Sequence, residues 1–153
     1  MTDLRSITQL LLRLTLGVVF FAHGWEKLVI KGIDKTAILF GDGPGGKNGF
    51  EIPFPTAAAH FAAWAEVLGG ASLILGVLLP FVGVVLAATM VGAGYYGHHD
   101  NGFWIQQNGW EFNLVLAVAV LAVGFAVPGA VSIDHYLKQR RAKIQRGQAV
   151  ANN

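Results

Sequence analysis

Glu66, Arg13 and the histidines His23, His60, His98 and His99 stand inside or at the edges of long apolar runs. A charge in hydrocarbon costs at least about 2.5–3.5 kcal/mol on insertion scales, so such groups face protein, water or headgroups. A shielded carboxylate near imidazoles can take up and release protons, and aromatic rings beside it can wall a flat ligand. Glu66 and His23 are therefore the candidates for proton chemistry. Arg13, His60, Trp64, His98 and Glu111 are the candidates for holding a cofactor. The 153 residues include no cysteine, which excludes a disulfide, a thiolate nucleophile and a Cys-ligated metal or iron–sulfur site. Redox chemistry would need a bound cofactor or a partner.

The elements that must position these groups are membrane spans. The chain is 54% hydrophobic and 13% charged, against about 25% charged in soluble domains. Spans are expected over Ile7–Leu28, Thr56–Leu79, Phe81–Gly97 and Trp110–Val127, near the ~20 residues a bilayer requires. A signal peptide ending at Ala22-His23-Gly24 is the competing reading of the first span; Arg13 interrupts its apolar core and three further spans follow. Val29–Pro55 reads as a polar loop whose stretch Gly41–Gly49 excludes a regular element, with Thr56 as the next N-cap. His98–Gly109 reads as a second polar loop. In the third span Ala88 and Gly92, then Ala93 and Gly97, have the small-xxx-small spacing that lets helices approach closely in lipid. The fourth span should stop at Pro128-Gly129.

Ser132 can cap a last helix from Ile133 to about Arg146. Ile133, Tyr136, Leu137 and Ile144 give it an apolar face, and Lys138, Arg140, Arg141, Lys143 and Arg146 a basic one. Such a helix suits an anionic leaflet; Gly147–Asn153 is expected to be disordered. The predicted fold class is an all-α integral membrane four-helix bundle with an additional C-terminal amphipathic helix. Residues 1–137 form the membrane domain and 138–153 a basic cytoplasmic tail.

Four spans put both termini on one side. That side holds Arg5, Arg13 and the five basic residues of the last helix, so the positive-inside rule makes it cytoplasmic. His23, His60, His98, His99, Glu111 and all four tryptophans then gather at the outer side, where an aromatic belt alone would account for tryptophan but not for histidine. Glu66 lies ten residues into the second span, about 15 Å deep. Arg13 is expected to reach it, either as a staple or as support for a proton-active carboxylate beneath an outer pocket.

Gly41-Asp42-Gly43-Pro44-Gly45-Gly46-Lys47 has the GxxxxGK spacing of a phosphate-binding loop, but Asn48 replaces Ser/Thr and no strand–loop–helix frame is available. His23-x-x-Glu26 puts two metal ligands on one helix face, which His60, His98, His99 or Glu111 could complete. Metal and haem rank below a quinone, which asks only for an apolar slot open to lipid, aromatic walls and a proton-exchanging His or acid.

The order Leu12-Arg13-Leu14-x-Leu16-Gly17-x5-His23-Gly24-x2-Lys27-Leu28, then Glu66-x2-Gly69-Gly70-x5-Gly76, then Pro128-Gly129-x2-Ser132-Ile133-Asp134 resembles DoxX-family membrane proteins. The resemblance runs from Leu11 to Leu137. It implies a four-helix bundle in the bacterial plasma membrane. The family takes its name from a membrane subunit of thiosulfate:quinone oxidoreductase, and actinobacterial relatives are linked to a complex with superoxide dismutase and a sulfurtransferase. The expected function is thus a membrane subunit or accessory of an oxidoreductase system, quinone-interacting and tied to oxidative-stress or sulfur redox chemistry. The alternative is a non-catalytic scaffold that recruits soluble redox enzymes. Membrane lipids, oxidoreductase partners and a second copy of the chain are the expected partners; nucleic acid is not.

Overall fold

The computed structural model describes residues 4–46, 49–126 and 132–151. Among these the chain forms α1 (Leu4–Trp25), α2 (Ile33–Phe40), α3 (Pro55–Leu75), α4 (Leu79–Ala93), α5 (Glu111–Phe125) and α6 (Ile133–Ala151). It is an all-α, membrane-type bundle in which α1, α3, α4 and α5 surround one core. Three helical stretches are long and apolar enough to cross a membrane: Leu4–Ile30, Pro55–Leu75 and Leu79–Asn101. The fourth, α5, is shorter, with 15 residues. The end carrying Leu4, Gly76, Phe125 and Ser132 is called the lower end, and that carrying Lys27, Pro55, His98 and Trp110 the upper end.

The bundle is built from two close pairs. α1 packs chiefly on α3 and α4 on α5, while contact between α3 and α4 and between α1 and α5 is thinner. Glycine permits the close pairs. A Cβ on Gly70 would stand 2.5 Å from the Phe21 nitrogen and 2.6 Å from the Gly17 oxygen. Gly83 and Gly124 meet in the same way across α4 and α5. Of Ala88, Gly92, Ala93 and Gly97, the two glycines do not make the close helix contact expected of them. A Cβ on Gly92 meets nothing within 4 Å, and one on Gly97 meets the Phe50 ring. These small residues make room instead of closing it. Gly70→Val should therefore lower stability by about 1–3 kcal/mol, because the overlap is with backbone that cannot yield. Gly92→Ala should be nearly neutral, and thermal unfolding in one detergent compares the two. Equal losses would show that the glycine contact does not set helix spacing.

Leu16, Phe20, Leu73, Leu79, Leu86, Met90, Leu116, Val120 and Val123 fill the space between the pairs. Leu11, Val18, Trp64, Leu68, Phe81, Val84, Val91 and Val118 point outward, a surface matched to hydrocarbon. The turn from α3 to α4 uses Gly76 (φ 71°) and Leu78 (φ 51°). Pro80 lies within the first turn of α4, where its missing N–H costs no helix bond. α3 starts at Pro55 after Phe54 in the left-handed region, so Thr56 is not the N-cap.

The segment expected as a plain loop is folded. α2 occupies residues 33–40 and rests on α3. The chain then returns beside it: the N–H groups of Phe50, Glu51 and Ile52 donate to the carbonyls of Leu39, Gly41 and Phe40 at 2.7–3.0 Å. Lys47 and the Pro128-Gly129 stop lie outside the described residues. At the lower end Ser132 caps α6, accepting the His135 N–H at 3.1 Å. Asp134 clamps α6 to the bundle: its two carboxylate oxygens accept the N–H groups of Leu78 and Leu79, each at 3.1 Å, and its own N–H donates to Gly76 O at 3.1 Å. α6 continues to Ala151, so the disorder expected from Gly147 does not hold over the described residues.

Candidate functional site

Glu66 is 3% exposed, and its partner is Lys27, whose Nζ lies 2.5 Å from Oε2. The local fold explains this pair. α1 widens after Trp25 into a π-turn over Glu26–Ile30, in which the Lys31 N–H donates to Glu26 O at 2.8 Å. Insertions of this type bend a helix's side-chain register and are common at functional sites. Buried Thr36 places its hydroxyl 3.0 Å from the Gly32 carbonyl and 3.4 Å from that of Lys27, so α2 supports the widened turn.

Side-chain direction completes the account. Cα–Cβ bonds tilt toward a helix's N-terminus. In the antiparallel α1/α3 pair, Lys27 therefore leans down and Glu66 leans up, toward each other. The glycine contacts level Gly17 with Gly70 and Gly24 with Ala63 and Val67. Arg13 lies one turn below Gly17, beside Gly76 and Ser132, and leans further down. The expected Arg13–Glu66 pair is thus not formed. Arg13 is 1% exposed and sits within electrostatic reach of Asp134. One turn earlier, buried Gln9 donates to Val123 O at 3.1 Å. Gln9 and Arg13 belong to the lower clamp.

The Lys27–Glu66 pair borders a cavity of about 520 Å³ in the upper half of the bundle. Phe20, Phe40, Phe50, Phe61, Phe112 and Tyr96 supply its aromatic walls. Thr89, Asn113, His98 and His23 add polar groups, and α2 with Phe50 and Ile52 forms a roof. A mainly apolar pocket of this size with a few convergent polar groups suits a small organic ligand. Lys27 engages only Oε2 of Glu66, which leaves the carboxylate's other oxygen for a second partner. His23 and Glu26 lie 3.9 Å apart, and Glu26 meets Lys31 at 3.2 Å. This string of polar and charged groups leads from the cavity to the exposed upper edge.

Of the residues singled out by type, Glu66, His23 and His98 line the cavity. His98 has its Nδ1 2.8 Å from Asn108 O, which ties it to the second loop. Arg13, His60, Trp64 and Glu111 do not line it. His60 and Trp64 are exposed on the outer face of α3, whereas Ala59, Ala63 and Glu66 form the inner face. Glu111 accepts the Ile105 N–H at 3.0 Å and closes the loop before α5. His99 is exposed beside Asp100. Among the described residues, no three His, Asp or Glu side chains gather at metal-binding distance. Lys27 is visible in the sequence at the polar end of the first span, but not as the partner of Glu66; Thr89, Asn113 and Phe50 are not singled out there. The spacing of Gly17 and Gly24 against Gly69-Gly70 carries the register that sets Lys27 above Glu66.

The fold and site define a membrane four-helix bundle with an ion pair buried beside an apolar pocket. The DoxX family model matches residues 8–99, and the chain belongs to that family. The match includes every cavity wall except those from Ile105 and α5. A Bacillus subtilis (strain 168) protein named "Putative oxidoreductase CatD" is 34% identical over 88 residues. That alignment spans 58% of this chain and 58% of the relative. An uncharacterised protein of Haemophilus influenzae (strain ATCC 51907 / DSM 11121 / KW20 / Rd) is 28% identical over 138 residues, covering 88% of this chain and 85% of the relative. No solved structure matches the chain.

Proposed function

We propose that this protein is a membrane subunit or accessory of an oxidoreductase system and that its cavity receives a quinone. The carrying observation is the Lys27–Glu66 pair on the wall of an aromatic-lined cavity. A quinone ring needs apolar flanks and a hydrogen-bond donor at a ring oxygen; the phenylalanines and Lys27 offer both. Reduction of a quinone to a quinol takes two electrons and two protons. The chain has no cysteine to carry electrons; in this reading a redox centre on a partner protein supplies them. Glu66 and Lys27 exchange the protons, and His23 and Glu26 connect them to the upper surface. The name of the B. subtilis relative supports the oxidoreductase assignment. The basic lower end, with exposed Arg5, Arg140, Arg141 and Lys143, supports placing both termini in the cytoplasm of a bacterial cell, with the cavity toward the outer face of the plasma membrane.

Purification in mild detergent followed by quinone extraction and mass analysis tests this reading. Wild-type protein should retain quinone, and Glu66→Gln should retain at least about tenfold less, a loss of roughly 1.4 kcal/mol in binding. Protein that carries no quinone and does not bind an added one would sink the assignment.

A further inference from the structure

The cavity has a side as well as a roof. Above the contact of Gly69 with Leu86, where a Cβ would stand only 2.8 Å from the leucine, α3 and α4 are separated by small residues. Phe61 and Ala62 on α3 and Ala88 and Gly92 on α4 line the cavity. Phe61 is 60% exposed and Ala88 is also exposed, so these residues face the cavity and the outer surface at once. The open space at Gly92 fits the same gap. This is the thinnest of the seams that α3 makes with α1, α2 and α4. The seam lies within two of the stretches long and apolar enough to cross a membrane.

We propose that this seam is a lateral window through which the hydrocarbon tail of the bound molecule leaves the cavity for the bilayer. The ligand is then a membrane-dissolved quinone with an isoprenoid or alkyl tail, not a water-soluble ring compound. Its ring lies at Lys27 and Glu66, and its first tail units cross between Phe61 and the small residues of α4. This rests on the quinone reading and adds to it the ligand class and its route. The apolar side chains framing the window have nothing polar to offer a headgroup. The polar groups, Lys27, Glu66, Thr89 and Asn113, all lie inside it. Ring and tail are therefore sorted by chemistry as well as by space.

Phylloquinone and menadione share one naphthoquinone ring and differ by a long tail, so they separate the two claims. Their binding to the full chain in nanodiscs is compared for wild type, Gly92→Leu, Ala88→Leu and Glu66→Gln, with size-exclusion profiles confirming folded protein. A Cβ at Gly92 meets nothing within 4 Å, so the backbone there has room for a side chain and this variant should fold; Ala88→Leu is the second variant. Wild type should bind phylloquinone more tightly than menadione. Either leucine should weaken phylloquinone at least about tenfold more than it weakens menadione, whereas Glu66→Gln should weaken both alike. If wild type binds both quinones and the leucines alter neither, or alter both equally, the window is wrong and the quinone site stands. Equal wild-type affinity for the two compounds also overturns the window. Should wild type bind neither, the quinone reading falls and the window with it.

Discussion

Lys27→Met is expected to destabilise the protein by about 3–5 kcal/mol, the usual result of removing one partner from a buried ion pair. Methionine matches the lysine stem in length but leaves Glu66 facing an apolar wall without its counter-charge. Glu66→Gln should cost less, since a neutral amide can still accept from Lys27 at the carbonyl oxygen. The double change Lys27→Met with Glu66→Leu should recover most of the loss, because two apolar groups of similar volume need no desolvated charge. Unfolding of all variants in one detergent supplies the double-mutant cycle. The double variant also decides what the pair is for. If it is as stable as wild type and no longer binds a quinone, the pair serves the ligand. If it binds as before, the pair is only a staple and the proposed proton role is lost.

Asp134→Ala should be comparably costly, again about 3–5 kcal/mol, because it withdraws the negative charge nearest a buried guanidinium. Three consequences come together at this residue. The first N–H groups of α4 lose both acceptors, Arg13 loses its electrostatic partner, and α6 loses its tie to the turn after Gly76. Asp134→Asn keeps one acceptor oxygen and should give up about half as much. Limited proteolysis provides a local readout: cleavage within α6 should rise sharply in the alanine variant while the core of α3 stays protected. If α6 is cut no faster than in wild type, Asp134 is not its anchor.

Much of this architecture is legible in the order of residues. Apolar stretches of the right length mark α1, α3 and α4, and the basic residues at the two chain ends mark a shared side. Ser132 is readable as a cap because its hydroxyl precedes an amphipathic run. Glu66 stands out as a carboxylate that hydrocarbon will not tolerate. Its partner is less legible. Depth counted from assumed span ends favours Arg13, whereas the true register follows from glycine contacts and from the direction in which side chains lean on antiparallel helices. Histidine and tryptophan also mislead by type: His60 and Trp64 are only one or two residues from inward-facing positions on α3, and a helix turns about 100° per residue. α2 is hidden because its short apolar pattern lies among glycines and becomes helical by resting on α3. The roles of Gly92 and Ala88 depend on which helix is absent beside them, and local sequence does not specify that.

The shortness of α5 has a consequence for the lipid around the protein. Its 15 residues span about 22 Å, against a hydrocarbon thickness of about 30 Å. The helix ends firmly, with Ala126 in extended geometry, so lengthening it cannot close the gap. A bilayer of that thickness would thin along this flank, at a cost of fractions of a kcal/mol per ångström. α1 and α4, continued by their π-turns, impose no such strain. The protein therefore sits in an asymmetric collar of lipid, compressed beside Phe112 and Asn113 and relaxed beside the small-residue seam. Membranes of different thickness should then change this protein's surroundings on one flank more than on the rest.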